Sequence, residues 1–165
     1  MVKLEFRKRG NFSAFYDLYT KDPHPKPIAI FEYFAGDNSA TMTYGQDVWS
    51  FSKPGNDGVI ALNGALLGRI KESSDILSLM SSCIVELNDG TSFTYKTNFW
   101  TTRFILFCSN GGIEGVRDRG DNIECLDAEA IDRHAVFVAA LLKYIWFFLR
   151  IQGAQVVYRV EHSVH

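Results

Sequence analysis

Between Ala135 and Leu149 the chain carries a single charge, Lys143. Val136, Phe137, Val138, Leu141, Leu142, Tyr144, Ile145, Trp146, Phe147 and Phe148 occupy every face of a 3.6-residue wheel. A helix at a protein surface shows one apolar stripe and one polar face. This segment has no polar face, so whatever it folds against must cover it nearly all round. The surrounding signals read as one long helix from Asp127 to Arg150. Asp127 can cap the first turn, Glu129 and Asp132 lie near the positive end of the dipole, and Arg150 and Gly153 mark the far end.

Three surroundings could cover such a helix: its own domain, a bilayer, or another helix in a dimer. A membrane span needs about 20 apolar residues. The segment falls short of that, and a lysine at mid-span costs about 2.5–3.5 kcal/mol on insertion scales. Burial inside the domain is therefore the expectation. Lys143 then needs either a route to solvent or a buried acidic partner.

The rest of the sequence supplies material for a cover. Short apolar or alternating runs occur at Ile28–Phe34, Ala40–Tyr44, Val48–Phe51, Gly58–Leu62, Leu66–Lys71, Cys83–Leu87, Ser92–Lys96, Arg103–Cys108 and Ile113–Val116. Between them stand Gly36-Asp37-Asn38, Asn56-Asp57-Gly58, Asn63-Gly64, Asn88-Asp89-Gly90 and Asn110-Gly111-Gly112. Asn-Gly and Asp-Gly pairs supply the positive φ that tight hairpins demand. Phe12 to Tyr19 reads as a short helix or a strand, and Glu72 to Ser82 as a loop, a helical turn or a strand pair. Thirteen Phe, seven Tyr and three Trp suit bulky strand-lined interiors.

The expected organisation is one domain over 1–165. Residues 1–11 form a basic N-terminal arm, 28–126 a β-rich barrel, 127–150 the hydrophobic helix, and 151–165 a tail whose Gln155 to Glu161 can add a last strand. The fold class is mostly β: a closed antiparallel barrel threaded by a hydrophobic C-terminal helix. A pleckstrin-homology-like barrel with a C-terminal helix is the rival, but its helix would be amphipathic.

This order of elements resembles the tubby-like fold, which includes the tubby C-terminal domain, the phospholipid scramblases and the LURP-one-related proteins. The local likenesses are Val48-Trp49-Ser50-Phe51, Leu67-Gly68-Arg69-Ile70-Lys71 and Asp132-Arg133-His134-Ala135-Val136-Phe137-Val138-Ala139-Ala140-Leu141-Leu142. The chain departs from the family in the tail Ile151 to His165 and in lacking the cysteine- and proline-rich segments of scramblases, so scramblase activity is not carried over. The resemblance implies phosphoinositide headgroups bound through Lys and Arg on the barrel exterior. The candidates here are Arg69, Lys71, Lys96 and Arg103, which approach one another if their strands are neighbours. Lys3, Arg7, Lys8 and Arg9 could steer the chain to an anionic surface, at about 1 kcal/mol per residue near it.

Other chemistry has little support in the sequence. Cys83, Cys108 and Cys125 form no Cys-x-x-Cys pair and read as structural thiols. His24, His134, His162 and His165 lack metalloenzyme spacing, and no nucleophile elbow or Walker loop occurs. Gly64 and Gly68 lie between strand-like runs, without the helix N-terminus a phosphate cradle needs. Arg117 to Asn122 reads as a polar turn.

No catalytic residue, metal or cofactor is expected, and the chain is expected not to be an enzyme. A formal net charge of -2 disfavours a nucleic-acid partner. The expectation is a cytoplasmic monomer, peripheral to the membrane, that binds an anionic lipid headgroup or a protein. The alternatives are a carrier or enzyme with an apolar cavity beside the helix, and a short membrane-anchored accessory protein.

Overall fold

Turn chemistry and alternation build one antiparallel sheet. In the computed structural model the described residues are 4–10, 14–20, 24–73, 80–98, 103–108, 113–119, 122–124, 131–145 and 147, with side chains described outside 72–82 and 95–130. The strands are β1 (Leu4–Lys8), β2 (Phe15–Thr20), β3 (Pro27–Phe34), β4 (Ser39–Tyr44), β5 (Asp47–Ser52), β6 (Gly58–Leu62), β7 (Ala65–Ser73), β8 (Met80–Leu87), β9 (Ser92–Asn98), β10 (Arg103–Cys108), β11 (Ile113–Arg119) and β12 (Asn122–Glu124). Each pairs antiparallel with the next, so order in the sheet is order in the sequence. The first and last strands come within 8 Å of each other by Cα distance, but no register of hydrogen bonds joins β1 to β12 among the described residues.

Asn63 and Gly64 turn β6 into β7 with φ of 51° and 83°, the two positive values that a two-residue hairpin of the primed type requires. Along β3 and β5 exposure alternates, and Ala29, Phe31, Tyr33, Trp49 and Phe51 all face inward at 7 % exposure or less. Ala40, Met42, Ile60, Ile70, Cys83, Val85 and Phe93 continue that lining around the sheet.

Helix α1 spans 133–145, with 147 also helical. Every residue from Ala135 to Ile145 is buried, at 5 % exposure or less. The cover is protein: Trp49 stacks on Phe137 at 6.0 Å, Phe51 on Tyr144 at 5.0 Å and Tyr33 on Phe147 at 4.2 Å. Among the described residues no helix is long and apolar enough to cross a membrane.

Several expectations need correction. The first strand is not an arm. Leu4 and Phe6 are core residues of β1, which pairs with β2 from Leu4↔Thr20 to Lys8↔Tyr16. Phe15–Thr20 is a strand, and β7 and β8 pair through Glu72↔Cys83 and Ser73↔Ser82, with 11–13 and 74–79 outside the described residues. The helix cap is Asp132 rather than Asp127: its Oδ1 accepts from the Ala135 amide at 2.9 Å, and its carbonyl accepts from the Val136 amide at 3.1 Å. Arg117 to Arg119 close β11 and Asn122 opens β12 antiparallel to it, so the chain reverses between Arg119 and Asn122, within the run read as a polar turn. Asp127, Trp146, Arg150 and the tail at 151–165 lie outside the described residues.

If the helix is core, Phe137→Ala removes a stacked ring at a site with little room to collapse. Urea denaturation should show a loss of about 3–5 kcal/mol, while Leu66→Ala, at an exposed position, should change stability by less than about 0.5 kcal/mol.

Candidate functional site

Basic side chains on the sheet's outer face were the one functional lead in the sequence, and the register shows how they are distributed. On β7, Arg69 and Lys71 flank the wholly buried Ile70 and are exposed. Glu86 lies opposite Arg69 in the ladder, and its Oε2 accepts the Lys71 ammonium at 3.1 Å. One carboxylate thus pairs with Lys71 and stands opposite Arg69 in the register. A half-exposed pair of this kind holds only about 0–1 kcal/mol, so an incoming anion meets little resistance from it.

Following the ladder, Lys71 pairs with Ile84, Ile84 with Thr94, and Lys96 is two residues farther along β9. Lys96 pairs with Ile105 on β10, and Arg103 is again two residues on. All four basic positions thus share one alternation of the pleat. With strands about 4.8 Å apart and about 6.8 Å between same-face residues, Lys71 and Lys96 are roughly 12 Å apart along the backbone surface, and Lys96 and Arg103 roughly 8 Å. Arg69 and Arg103 stand roughly 25 Å apart by the same geometry. The four form a diagonal band, and no single compact headgroup contacts all of them.

Sequence reasoning missed one member. Arg117 lies directly opposite Arg103 in the β10–β11 register, with Glu124 opposite it on β12. The signal was present: the alternation of Ile113 to Val116 continues through Arg117 and Arg119, and the charges obscured it. The N-terminal basic residues are placed differently. Arg9 forks onto Asp17, with Nε to Oδ2 at 2.9 Å and Nη2 to Oδ1 at 2.8 Å, and Arg7 lies 4.5 Å over the Tyr19 ring. They fasten β1 to β2, outside the β7–β11 band.

The glycines of Gly64-Ala65-Leu66-Leu67-Gly68 have structural roles. Gly64 makes the hairpin, and a Cβ at Gly68 would collide with the Glu86 carbonyl. Cys83 is fully buried.

Polar contacts stand at both ends of α1. At its start, Arg133 Nε meets Asp47 Oδ2 at 2.7 Å, Asn63 donates to Asp47 at 3.1 Å, and Asn63 Oδ1 accepts the Val48 amide at 2.8 Å. Near its end, the Tyr144 hydroxyl donates to the Asn38 carbonyl at 2.7 Å, and the Tyr33 hydroxyl to Asn38 Oδ1 at 3.0 Å. Asn38 can offer both acceptors because it sits in the left-handed region, at φ 54°. Lys143 is 1 % exposed, with its ammonium 4.2 Å from the centre of the Tyr16 ring, 5.4 Å from Phe147 and 5.6 Å from Phe6. It neither reaches solvent nor sits in purely aliphatic surroundings: the electron-rich ring faces attract its charge.

Comparison of the chain with protein-family models, with curated proteins and with solved structures gives no match to any of them.

Burial pushes the Tyr144 phenol up, with Tyr33 and Asp37 adding to the shift, and burial followed by Asp37 raises Tyr33. Below about pH 10 these phenols are neutral folded and unfolded alike. Above it the unfolded chain releases protons that the folded one retains, so stability falls as pH rises. Tyr144→Phe should cost about 1 kcal/mol at pH 7 and flatten the fall between pH 10 and 11, read from urea midpoints at each pH.

Proposed function

We propose that this chain is a non-enzymatic β-barrel domain of tubby-like architecture that binds an anionic lipid headgroup at a membrane surface. The observation that carries the reading is the band of basic positions at Arg69, Lys71, Lys96 and Arg103, joined by Arg117, on one alternation of a sheet that surrounds an apolar helix. The approach of β1 to β12 supports the closed form of the barrel. With its core occupied by its own helix, such a domain has its outer face left for recognition.

The chain's overall charge is slightly negative, so a basic band is a local attraction and not a general affinity for polyanions. Its length suits a surface of spaced headgroups better than a single small ligand. The carrier reading has less support, because Trp49, Phe51, Tyr33 and Tyr16 fill the space beside the described helix with rings stacked on its own side chains.

Flotation of the full chain with phosphatidylcholine vesicles, with and without added phosphoinositide, at low and raised salt, tests the proposal. The expected result is binding that needs the anionic lipid and weakens with salt. Lys96→Glu with Arg103→Glu should reduce the bound partition by at least about fivefold for each charge removed, since a basic residue near the surface contributes about 1 kcal/mol. No binding under any of these conditions would discard the lipid reading.

A further inference from the structure

Asn63 stands at the first central position of the β6–β7 hairpin, exposed and followed by glycine. Leu62 pairs with Ala65 across the turn, and a φ of 51° at Asn63 is one that asparagine and aspartate both adopt. The turn alone does not select between the two residues. The contacts do. Asn63 Nδ2 donates to Asp47 Oδ1 at 3.1 Å, which an aspartate carboxylate has no proton to do, and Asn63 Oδ1 accepts the Val48 amide at 2.8 Å. The Asn63 backbone N–H donates in turn to the Val48 carbonyl at 2.8 Å. Asp47 is itself gripped by Arg133, with Nε 2.7 Å from Oδ2 and Nη2 3.2 Å from Oδ1. One carboxamide thus ties the β6–β7 hairpin to the start of β5 and, through Asp47, to the first turn of α1.

A carboxamide followed by glycine is open to attack by the next backbone nitrogen. Nothing shields that nitrogen here: a Cβ at Gly64 would meet no atom within 4 Å. Attack forms the bond from Gly64 N to Asn63 Cγ and breaks the bond from Cγ to Nδ2. The Gly64 proton goes to solvent base, the departing nitrogen takes up a proton and leaves as ammonia, and a succinimide remains. Water opens that ring at either carbonyl, giving aspartate or isoaspartate. No oxidant or reductant takes part.

The hairpin's contacts decide when this happens. Attack needs Cγ over the Gly64 nitrogen, whereas both polar atoms of the carboxamide are tied to β5. The reaction therefore waits on release of the side chain from Asp47 and Val48. Afterwards the contacts cannot re-form. An aspartate sets a second carboxylate where Asp47 needs a donor, and the two like charges repel. Isoaspartate also adds a backbone carbon to a turn whose geometry is set by two residues.

We infer that Asn63 is a site of spontaneous deamidation gated by its own hydrogen bonds to Asp47 and Val48, and that conversion irreversibly undoes the link between the β6–β7 hairpin and the start of α1. This inference is independent of lipid binding.

Peptide mapping of the folded full chain, kept at mildly alkaline pH over successive days, tests it. Asn110-Gly111, the chain's other Asn-Gly pair, is the internal reference. The expected result is aspartate and isoaspartate accumulating at 63, more slowly than in the same buffer with denaturing urea. Asp47→Ala removes a charged acceptor, so conversion at 63 should quicken by about tenfold while that at 110 keeps its rate. Arg133→Ala loosens Asp47 without altering the hairpin, and should quicken conversion at 63 to a smaller degree; it serves if the Asp47 variant fails to fold. Converted chain, separated by ion exchange, should have a lower urea midpoint and a displaced Val48 amide resonance, and Asn63→Asp should reproduce both. Absence of conversion at 63 in the folded chain overturns the inference, as does a folded rate equal to that in urea. Rates at 63 that neither substitution moves, or that rise equally at 110, overturn the gating. Conversion that leaves the midpoint and the Val48 resonance unchanged overturns its consequence for the helix.

Discussion

A helix with no polar face has to be enclosed, and the rest of this molecule follows from that requirement. Thirteen residues, 133–145, run through the sheet interior, and from Ala135 onward none is more than 5 % exposed. Fully burying each Val, Leu, Ile or Phe side chain contributes about 1.5–3 kcal/mol, and the helix supplies Val136, Phe137, Val138, Leu141, Leu142 and Ile145. A single flat sheet covers one side of a helix only. A long sequence of short, consecutive strands, each hydrogen-bonded to the next, can curve around it, and the described strands form such a sequence from β1 to β12.

Enclosure creates a second problem, because helix ends and the one interior charge still carry polar groups. The helix ends are met by side chains at turns and strand ends, and the interior charge by rings on strands. Asp132 caps the first turn, Arg133 forks onto Asp47, and Asn63 links that carboxylate to the β6–β7 hairpin. At the far end the two tyrosine hydroxyls converge on Asn38. Lys143 is accommodated between rings, where burial costs are offset by attraction to the π faces of Tyr16, Phe6 and Phe147. The helix is thereby fixed in position along its axis as well as covered.

Much of this architecture was legible in the sequence. Nine strands were visible as runs between Asn-Gly and Asp-Gly turns, and Gly58–Leu62 and Arg103–Cys108 were placed to the residue. β1, β2 and β12 lay outside those nine runs, and charges masked the alternation of β1 and the end of β11. In β1, Glu5 and Arg7 alternate with the core residues Leu4 and Phe6, and the basic excess suggested an arm. In β11, Arg117 and Arg119 extend a strand that had been ended at Val116. Asp132, read as a charge near the positive end of the dipole, is the cap of the described helix. The basic positions were readable as residue types, whereas their separation was not: it depends on the register of four strands, which no local pattern encodes.

The central claim is that α1 is the core of the sheet, and hydrogen exchange of the full chain tests it most directly. Amides of 136–145 should exchange only when the whole sheet opens, with protection equal to that of the slowest amides in β3 and β5 and matching the global unfolding free energy from denaturation. Helix amides that exchange near the unprotected rate while β3 and β5 stay protected would place the helix outside the sheet and contradict the account.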